Sequence, residues 1–587
     1  MMKPFTSLST IVGQPMPPGE IIRVIRQYKW SLTFVKLARI AAAISAEENL
    51  LGSFVKLHSN QILASFQSND PNRTSQQAAI ETQVSTYFRQ NPDSIIYHEQ
   101  LIYFMQALCI LEGAEHGEEP PDTLLAFYCL AANDYVHSWK DQDSSALTDL
   151  ERLVAELALS SRFNRSSDSL RDFIRMYMIL NEKPLKSKLI ERWSELQNEA
   201  FGMPFEEFFH IVIGPAVLMA EGWGQINEHG RRNNPNVKPK EWFSHTKLLQ
   251  GSDRSPSVAH TFFRNLTSSR TEAREEIHPH RTSDGLPHAP ILFYKKPFIE
   301  IEDDLIYAAS PTVARQQLST GIWAAGLSAA KKLFPKEPLL WFYTFGKMLE
   351  LWARRVATEA SKGDRFRGRL ILSHDVGSHD EIEDVILMEG RNVALFSVKS
   401  SLIREKSIKR ALSRSEAISW YNEFLFSDKT SVPTGSRQET RGGAFRLLNA
   451  TIDRIRNGES AEIHANQKLF PVLVTFDDLG DNEILYKWIR MRCKQESLFR
   501  PRNVMPPSIM TISEFEMLMG LAYQGASIFK VLRQRADSQK CGLPTKEVLL
   551  ECSIKSELEI LPFLRDIFEQ VTNRIQERLF RTAELPE

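Results

Sequence analysis

The sequence predicts a multi-domain α+β protein, with an N-terminal all-helical domain and a C-terminal domain in which helices flank a mixed sheet. Its 587 residues exceed what one hydrophobic core usually serves, so roughly two to four domains are expected. Apolar residues recur at helical spacing over 19–223, whereas short apolar runs alternate with helical segments after residue 290. We therefore predict a helical domain over 1–224, a linker or irregular insertion over 225–290, and a mixed domain with a helical C-terminal extension over 291–587.

Composition and charge limit the classes of function that the protein could have. Hydrophobic residues make up 42% and charged residues 25%, which is typical of globular chains. Lys and Arg total 72 against 73 Asp and Glu, and the net charge of −1 gives no whole-molecule attraction to nucleic acid or to an anionic membrane. Any site for a polyanion must therefore be local.

Cysteine usage and the chain start predict a cytoplasmic protein with no membrane partner. The five cysteines are scattered without the paired spacing of a zinc site or a disulfide framework, which fits a reducing compartment. The first residues lack a charged segment followed by an apolar core, so no secretory signal is predicted. The most apolar run, 208–220, is too short to span a bilayer and is predicted to be buried helix.

The helical half shows amphipathic segments such as 20–44 and 145–163, joined by polar stretches. We expect this half to bind another protein. The predicted linker that follows is rich in Asn, Pro, Gly, Ser and charged residues, a composition typical of loops.

In the C-terminal half, segments with the apolar pattern of helices alternate with segments that have the apolar pattern of strands. Its predicted elements are a strand over 291–301, helices over 311–334 and 338–360, a hairpin over 380–400, helices over 413–426 and 443–458, a strand over 471–476, and a strand followed by a helix over 508–522. Ser513 and Glu516 match the S-x-x-E pattern of a capping box and are predicted to begin the last helix.

The hairpin is apolar except at one end. A two-residue turn at Glu389-Gly390 would place Asp384 opposite Leu395. Side-chain alternation then puts four residues on one face: Asp384, Leu395, Ser397 and Lys399. The other face is apolar throughout, which predicts a strand pair covered on both sides with polar chemistry at one rim.

The helix over 338–360 contributes another acid. An apolar stripe at spacings of three and four predicts its buried face: Phe342, Phe345, Leu349, Trp352 and Val356. Glu350 lies beside this stripe with Gly346, Ala353 and Ala357 as neighbours on the helix. Small neighbours allow close approach to another backbone, so Glu350 is predicted to point inward.

The order of these residues resembles the PD-(D/E)xK restriction-endonuclease-like superfamily. The shared pattern is Gly346-x-x-x-Glu350 on a helix, Asp384 at the start of a strand, and Ser397-Val398-Lys399 at the end of the next. The similarity covers about residues 291–530, and the helix over 443–458 with the strand after it also resembles the elements that close such cores. The resemblance implies a restriction-endonuclease-like mixed sheet flanked by helices.

The resemblance also implies hydrolysis of nucleic-acid phosphodiesters with Mg²⁺ or Mn²⁺ as cofactor. Glu350, Asp384 and Lys399 would be catalytic, with Asp384 and Glu350 holding the metal ion and the Val398 carbonyl assisting. Lys399 would orient water and stabilise charge on the phosphate. Mg²⁺ prefers oxygen ligands and keeps several waters, so one or two carboxylates can suffice.

Ser397 departs from the family pattern, which usually has Asp or Glu at that position. Some relatives with serine there recover the acid from the following helix, so Glu416 is predicted as a further metal ligand in preference to Glu405. Strand alternation is predicted to turn Glu383 to the opposite face. A purely structural alternative stays open, in which Asp384 pairs with Lys399 and Glu350 with Arg354.

The segment 399–414 is strongly basic. It carries the predicted nucleic-acid-binding residues Lys399, Arg404, Lys406, Lys409, Arg410 and Arg414. Glu405 is its only acid, so the segment could follow a phosphate backbone next to the site. A solvated helix face is the alternative interpretation.

We therefore predict a Mg²⁺-dependent endonuclease that hydrolyses DNA, with defence against phage or plasmid DNA suggested only by analogy to the family. One alternative is a catalytically inactive subunit of nuclease fold that binds DNA or a partner protein in a multi-component complex. Another is a protein-binding helical scaffold. The sequence lacks the Walker-type phosphate loop, the G-x-S-x-G elbow and the H-E-x-x-H motif that would support other chemistries.

Overall fold

The structure of the protein is a computed structural model. It describes residues 6–47, 75–91, 97–136, 147–161, 169–184, 187–206, 208–209, 266–287, 292–293, 296–302, 305–310, 313–314, 321–372, 383–400, 414–427, 430–434, 437–441, 443–460, 462–476, 479, 483–536, 548–549 and 561–581. Within these ranges, no helix combines the length and the apolar character needed to cross a membrane.

The named elements up to residue 201 are all helices, as predicted for this half. They are α1 (Leu8–Val12), α2 (Pro18–Ile25), α3 (Trp30–Glu47), α4 (Ser75–Gln90), α5 (Glu99–Glu112), α6 (Asp122–Ala132), α7 (Asp149–Ser161), α8 (Ser169–Asn181), α9 (Lys188–Glu191) and α10 (Trp193–Phe201).

The remainder of the chain mixes helices and strands. Its helices are α11 (Arg270–Ile277), α12 (Ile322–Leu333), α13 (Leu340–Ser361), α14 (Arg414–Phe426), α15 (Ala444–Arg456), α16 (Glu483–Gln495), α17 (Ile512–Tyr523), α18 (Ile528–Ala536) and α19 (Pro562–Arg581). Its strands are β1 (Thr267–Ser268), β2 (Phe298–Glu302), β3 (Leu305–Ala308), β4 (Arg369–Leu372), β5 (Val385–Glu389), β6 (Asn392–Lys399), β7 (Thr430–Thr434), β8 (Arg437–Arg441), β9 (Lys468–Thr475) and β10 (Ser508–Thr511). The α+β class predicted from the sequence is confirmed.

The buried apolar side chains form two groups. Each group contains residues from two separate stretches of the chain. The first group combines α1–α6 with residues 273–313. The second combines α7–α10 and the segment that follows them to Phe209 with the elements after residue 321. Among the described residues, no buried cluster joins the two groups. Each group thus combines residues from before 224 with residues from later in the chain, while the predicted boundaries at 224 and 290 lie outside the described residues and stay predictions.

Part of the predicted linker is folded. Residues 266–287 form β1, α11 with a capping box between Ser269 and Glu272, and a short 3₁₀ helix. Arg270 donates to the carbonyls of Ile110 and Gly113, at 3.1 and 2.5 Å, and so binds groups that the C-terminal end of α5 leaves without helical partners. This segment therefore packs as an integral part of the first group.

A mixed five-stranded sheet forms the centre of the second group. Its order is β10-β9-β6-β5-β4, antiparallel from β4 to β6 and parallel from β6 to β10. One face packs against α13 and α17 through Val385, Leu387, Ala394, Phe396, Val398, Phe470 and Val472. The other packs against α14, α15 and α16 through Ile371, Ile386, Val393, Leu395, Leu469 and Leu473. The prediction of a hairpin buried on both faces is confirmed.

The predicted hairpin turn is wrong by one residue. The turn residues are Gly390 and Arg391, because Glu389 pairs with Asn392 and Val385 with Phe396. Gly390 has a φ of +59°, a conformation that favours glycine at the first turn position. The resulting shift in strand pairing is two residues. Because an even shift keeps side chains on their faces, the faces predicted for residues within the two strands still hold, whereas Glu383 and Asp384 precede β5 and are not bound by its alternation.

Helix α13 confirms the prediction over 338–360 and lies against the end of β6. Phe345, Leu349, Trp352 and Val356 are buried as predicted, while Phe342 is half-buried. A Cβ at Gly346 would lie 3.4 Å from Ser400 Oγ, so the helix comes close to the residue after Lys399.

The capping box of α17 lies two residues before the predicted one. It is formed by Thr511 and Glu514. Ser513 and Glu516 lie inside the first turns of the helix and contact Arg175 instead. Since both pairs satisfy the same spacing, the sequence pattern alone did not distinguish them.

Candidate active site

The candidate site lies at the end of β6, where β5 begins and α13 passes by. Lys399 is the last residue of β6, and Asp384 immediately precedes β5. Glu350 lies one turn after Gly346 on α13, on the side of the helix that approaches Ser400. The fold therefore brings the three predicted catalytic residues to one rim of the sheet.

Asp384 is held in place by its neighbours. Its Oδ2 accepts a hydrogen bond of 2.7 Å from the Val398 backbone N–H across the strand pair. The guanidinium of Arg354, a buried residue of α13, lies 3.7 Å from Oδ1 and donates to the Asp384 carbonyl at 3.3 Å. Arg354 therefore positions Asp384, whereas the structural alternative from the sequence had assigned it to Glu350.

Glu350 lies close enough to the other charges to respond to them. Its side chain is 15% exposed and accepts from Lys347 Nζ at 2.6 Å. Burial raises the pKa of Glu350 above its ordinary value, and the charge of Asp384 raises it further. Lys347 and Lys399 oppose the increase. Two carboxylates and two lysines therefore share one electrostatic environment.

The position of Glu383 contradicts the prediction that its side chain lies on the face opposite Ser397. Its carboxylate lies close to the hydroxyl groups of Ser397 and of Thr451 on α15, which stabilise the charged form. The physical reason is that β5 begins only at Val385, so side-chain alternation along the strand does not determine the direction of residue 383. An acid thus lies beside Ser397, the residue at which the sequence departs from the pattern that it resembles. The signal in the sequence was the pair Glu383-Asp384 ahead of the strand.

The remaining predicted residues are only partly described. Glu416 lies in the first turn of α14 with its side chain exposed, and its role as a metal ligand stays a prediction. Arg414 begins the same helix. The other members of the basic segment lie outside the described residues: Arg404, Lys406, Lys409 and Arg410, with the alternative acid Glu405.

The donor atoms suit a hard cation that keeps much of its water. In the part of the chain that the structure describes, no three His, Cys, Asp or Glu side chains are grouped so that they could enclose a metal ion. Mg²⁺ and Mn²⁺ accept one or two carboxylates with water in the other positions. Asp384, with Glu350 or Glu383, offers that kind of donor set.

Comparison with known proteins gives no assignment. No family model matches the chain, and no curated protein or solved structure is significantly similar to it. The fold and the residues of the site are therefore the features that indicate a function.

Glu383 should make the stability of the metal-free protein depend on pH. Burial raises its pKa from 4.5 to about 7, with Asp384 raising it further and Lys399, Thr451 and Ser397 opposing. Between pH 4.5 and 7 the folded protein holds a proton that the unfolded chain has lost. The free energy of unfolding should therefore fall by about 2 to 3 kcal/mol over that window as pH rises.

The measurement is urea unfolding in chelator at several pH values, for the natural protein and Glu383→Gln. The difference between the two should be small near pH 4.5 and should favour the variant near pH 7.5. A difference that stays constant with pH would show that Glu383 titrates normally.

Proposed function

We propose that the chain is a divalent-metal-dependent nuclease that hydrolyses DNA phosphodiester bonds. The observation that supports it is the convergence of Glu350, Asp384 and Lys399 at the rim of a mixed sheet covered by helices on both faces. The arrangement agrees with what the resemblance to the restriction-endonuclease-like superfamily implies. Glu383, beside Ser397, supplies an acid that the sequence pattern lacked.

Each residue has a distinct part in the proposed reaction. Asp384 and Glu383 or Glu350 would hold Mg²⁺, which when bound neutralises negative charge on the scissile phosphate. Arg354 and the Val398 N–H fix the direction of Asp384. Lys399 provides a positive charge where the phosphate becomes more negative in the transition state.

A second candidate is a catalytically inactive subunit of the same fold that binds DNA or a partner protein. One observation favours it: both oxygens of Asp384 already face positive or donor groups, namely Val398 N–H and Arg354. Together with serine at 397, this arrangement suits a structural role for the acid. We propose the helical half as the contact for a further protein in either case, and a role in defence rests on family analogy alone.

The test is incubation of plasmid and linear DNA with purified protein in Mg²⁺, in Mn²⁺ and in chelator. We expect cutting that requires metal and falls at least about a hundredfold in Lys399→Ala and in Asp384→Asn. Asn at 384 keeps an acceptor for Val398 N–H while removing the charge, so the fold is retained.

Matched controls are Lys336→Ala and Asp149→Asn, which alter exposed residues away from the site and should cut normally. Absence of metal-dependent cutting by the natural protein, with DNA binding intact, would favour the inactive subunit. Equal cutting by the site variants and the controls would refute the assigned residues.

A further inference from the structure

A second cluster of charge lies at the end of the sheet opposite the candidate site. The β5–β6 turn carries Arg391, whose carbonyl accepts from the Lys468 N–H at 2.8 Å at the start of β9. Arg533 of α18 donates to Asn392 Oδ1 at 3.0 Å. Three basic residues from separate elements therefore meet at the hairpin turn.

The connection from α13 to β4 brings two more basic residues to this end. A Cβ at Gly368 would lie 2.8 Å from the Met388 carbonyl oxygen, so the backbone passes directly against the hairpin. A Cβ at Gly525 would lie 2.7 Å from the Arg365 carbonyl oxygen, which joins the same connection to the start of α18. Arg365 and Arg367 thus border the same surface. We call Arg365, Arg367, Arg391, Lys468 and Arg533 the hairpin-end patch.

The hairpin-end patch carries more positive than negative charge, because its five cations outnumber the two adjoining acids, Asp364 and Glu389. Four of its residues are exposed and Lys468 is half-buried. None of the five has a carboxylate partner among the residues the structure describes. Of the nearby acids, Glu389 accepts from Ser527 Oγ and Glu462 pairs with Arg369. A local excess of positive charge in a chain of net charge −1 indicates a surface for an anionic partner.

We propose that the hairpin-end patch binds the phosphate backbone of a nucleic acid. Four of the five residues are arginines, whose planar guanidinium groups match phosphate oxygens with paired donors. A protein interface would need an apolar centre and a membrane contact an apolar wedge. The exposed large apolar residues of the described chain are Leu32, Leu153 and Leu447, and none belongs to this surface.

The patch is a separate contact from the candidate site. Strand β6 runs from Asn392 at the patch to Lys399 at the site, a span of about 23 Å at the usual rise per residue. This inference goes beyond the nuclease proposal, because the patch can bind nucleic acid whether or not the site cuts it.

The test is fluorescence anisotropy of a short labelled DNA duplex with the full-length protein in chelator, at several salt concentrations. The patch variant combines Arg367→Glu, Arg391→Glu and Arg533→Glu. The control variant makes the same charge change at exposed residues elsewhere: Arg89→Glu, Lys183→Glu and Lys336→Glu. We expect the patch variant to bind at least about tenfold more weakly, with a salt slope reduced by about 2 to 3.

Equal affinity and equal salt slope in the patch and control variants would overturn the proposal. So would polyglutamate competing with the duplex as effectively as unlabelled DNA, because the partner would then be an acidic protein. Lys399→Ala separates this question from the nuclease proposal, since it should abolish cutting while leaving the contribution of the patch to binding unchanged.

Discussion

Arg175→Ala is expected to lower the free energy of unfolding by about 3 to 5 kcal/mol. Arg175 and Glu516 form a buried, two-pronged ion pair with both N–O distances at 2.8 Å. Trp352 Nε1 donates to the same carboxylate at 2.9 Å, and Ser513 and Asp172 complete the partners of Arg175. Removing the guanidinium leaves a buried carboxylate without its countercharge, which is why the expected loss is large.

Urea unfolding followed by tryptophan fluorescence measures this loss. The matched control is Lys188→Ala, which breaks an exposed ion pair with Glu337 and should cost less than about 1 kcal/mol. The double variant Arg175→Met, Glu516→Leu should recover much of the stability, because it removes both charges together. Similar losses in the free energy of unfolding for Arg175→Ala and Lys188→Ala would contradict the large effect expected from breaking the buried pair.

Glu383→Gln is expected to reduce metal-dependent DNA cutting by about a hundredfold or more. The reason is that Glu383 lies beside Ser397, where the proteins that the sequence resembles have an acid, so under the proposed function its charge would replace the missing one. Gln keeps the size and the hydrogen-bonding capacity toward Ser397 and Thr451, so the sheet rim should stay folded. Initial rates on plasmid DNA over a range of Mg²⁺ concentrations provide the measurement.

Glu416→Gln is the matched comparison, because Glu416 was the acid favoured by the sequence and lies exposed on α14. We expect it to cut nearly as well as the natural protein. The reverse result, with cutting lost in Glu416→Gln and kept in Glu383→Gln, would support Glu416 as the additional metal ligand instead of Glu383. A variant that cuts normally at high Mg²⁺ only would identify its carboxylate as a metal ligand.

Local patterns predicted the elements that carry the site. Helix α13 followed from apolar residues at helical spacing, and β5 and β6 followed from two apolar runs separated by a turn. These patterns depend only on residues that are close in sequence, so they can be recognised without knowledge of the fold. The side-chain faces of the hairpin also followed, because they depend only on the parity of the pairing.

Details set by a single residue or by distant contacts could not be predicted in the same way. The positive φ of Gly390 moves the turn by one residue, and the late start of β5 frees Glu383 from strand alternation. The capping box had two candidates at equal spacing. Contacts such as Arg270 with the end of α5 join residues 160 apart, and no local pattern reports them.

The shared core of α8 and the sheet has a consequence for synthesis of the chain. Arg175 is separated from Glu516 by 341 residues. At about 5 to 20 residues per second, the ribosome needs roughly 20 to 70 s to deliver the acid after the arginine has been made. During that interval α8 lacks its contacts with α17, and only nearer partners such as Phe205 and Phe209 can pack on Phe173 and Tyr177. The buried ion pair at the centre of this core therefore forms much later during synthesis than it would in a domain that is continuous in sequence.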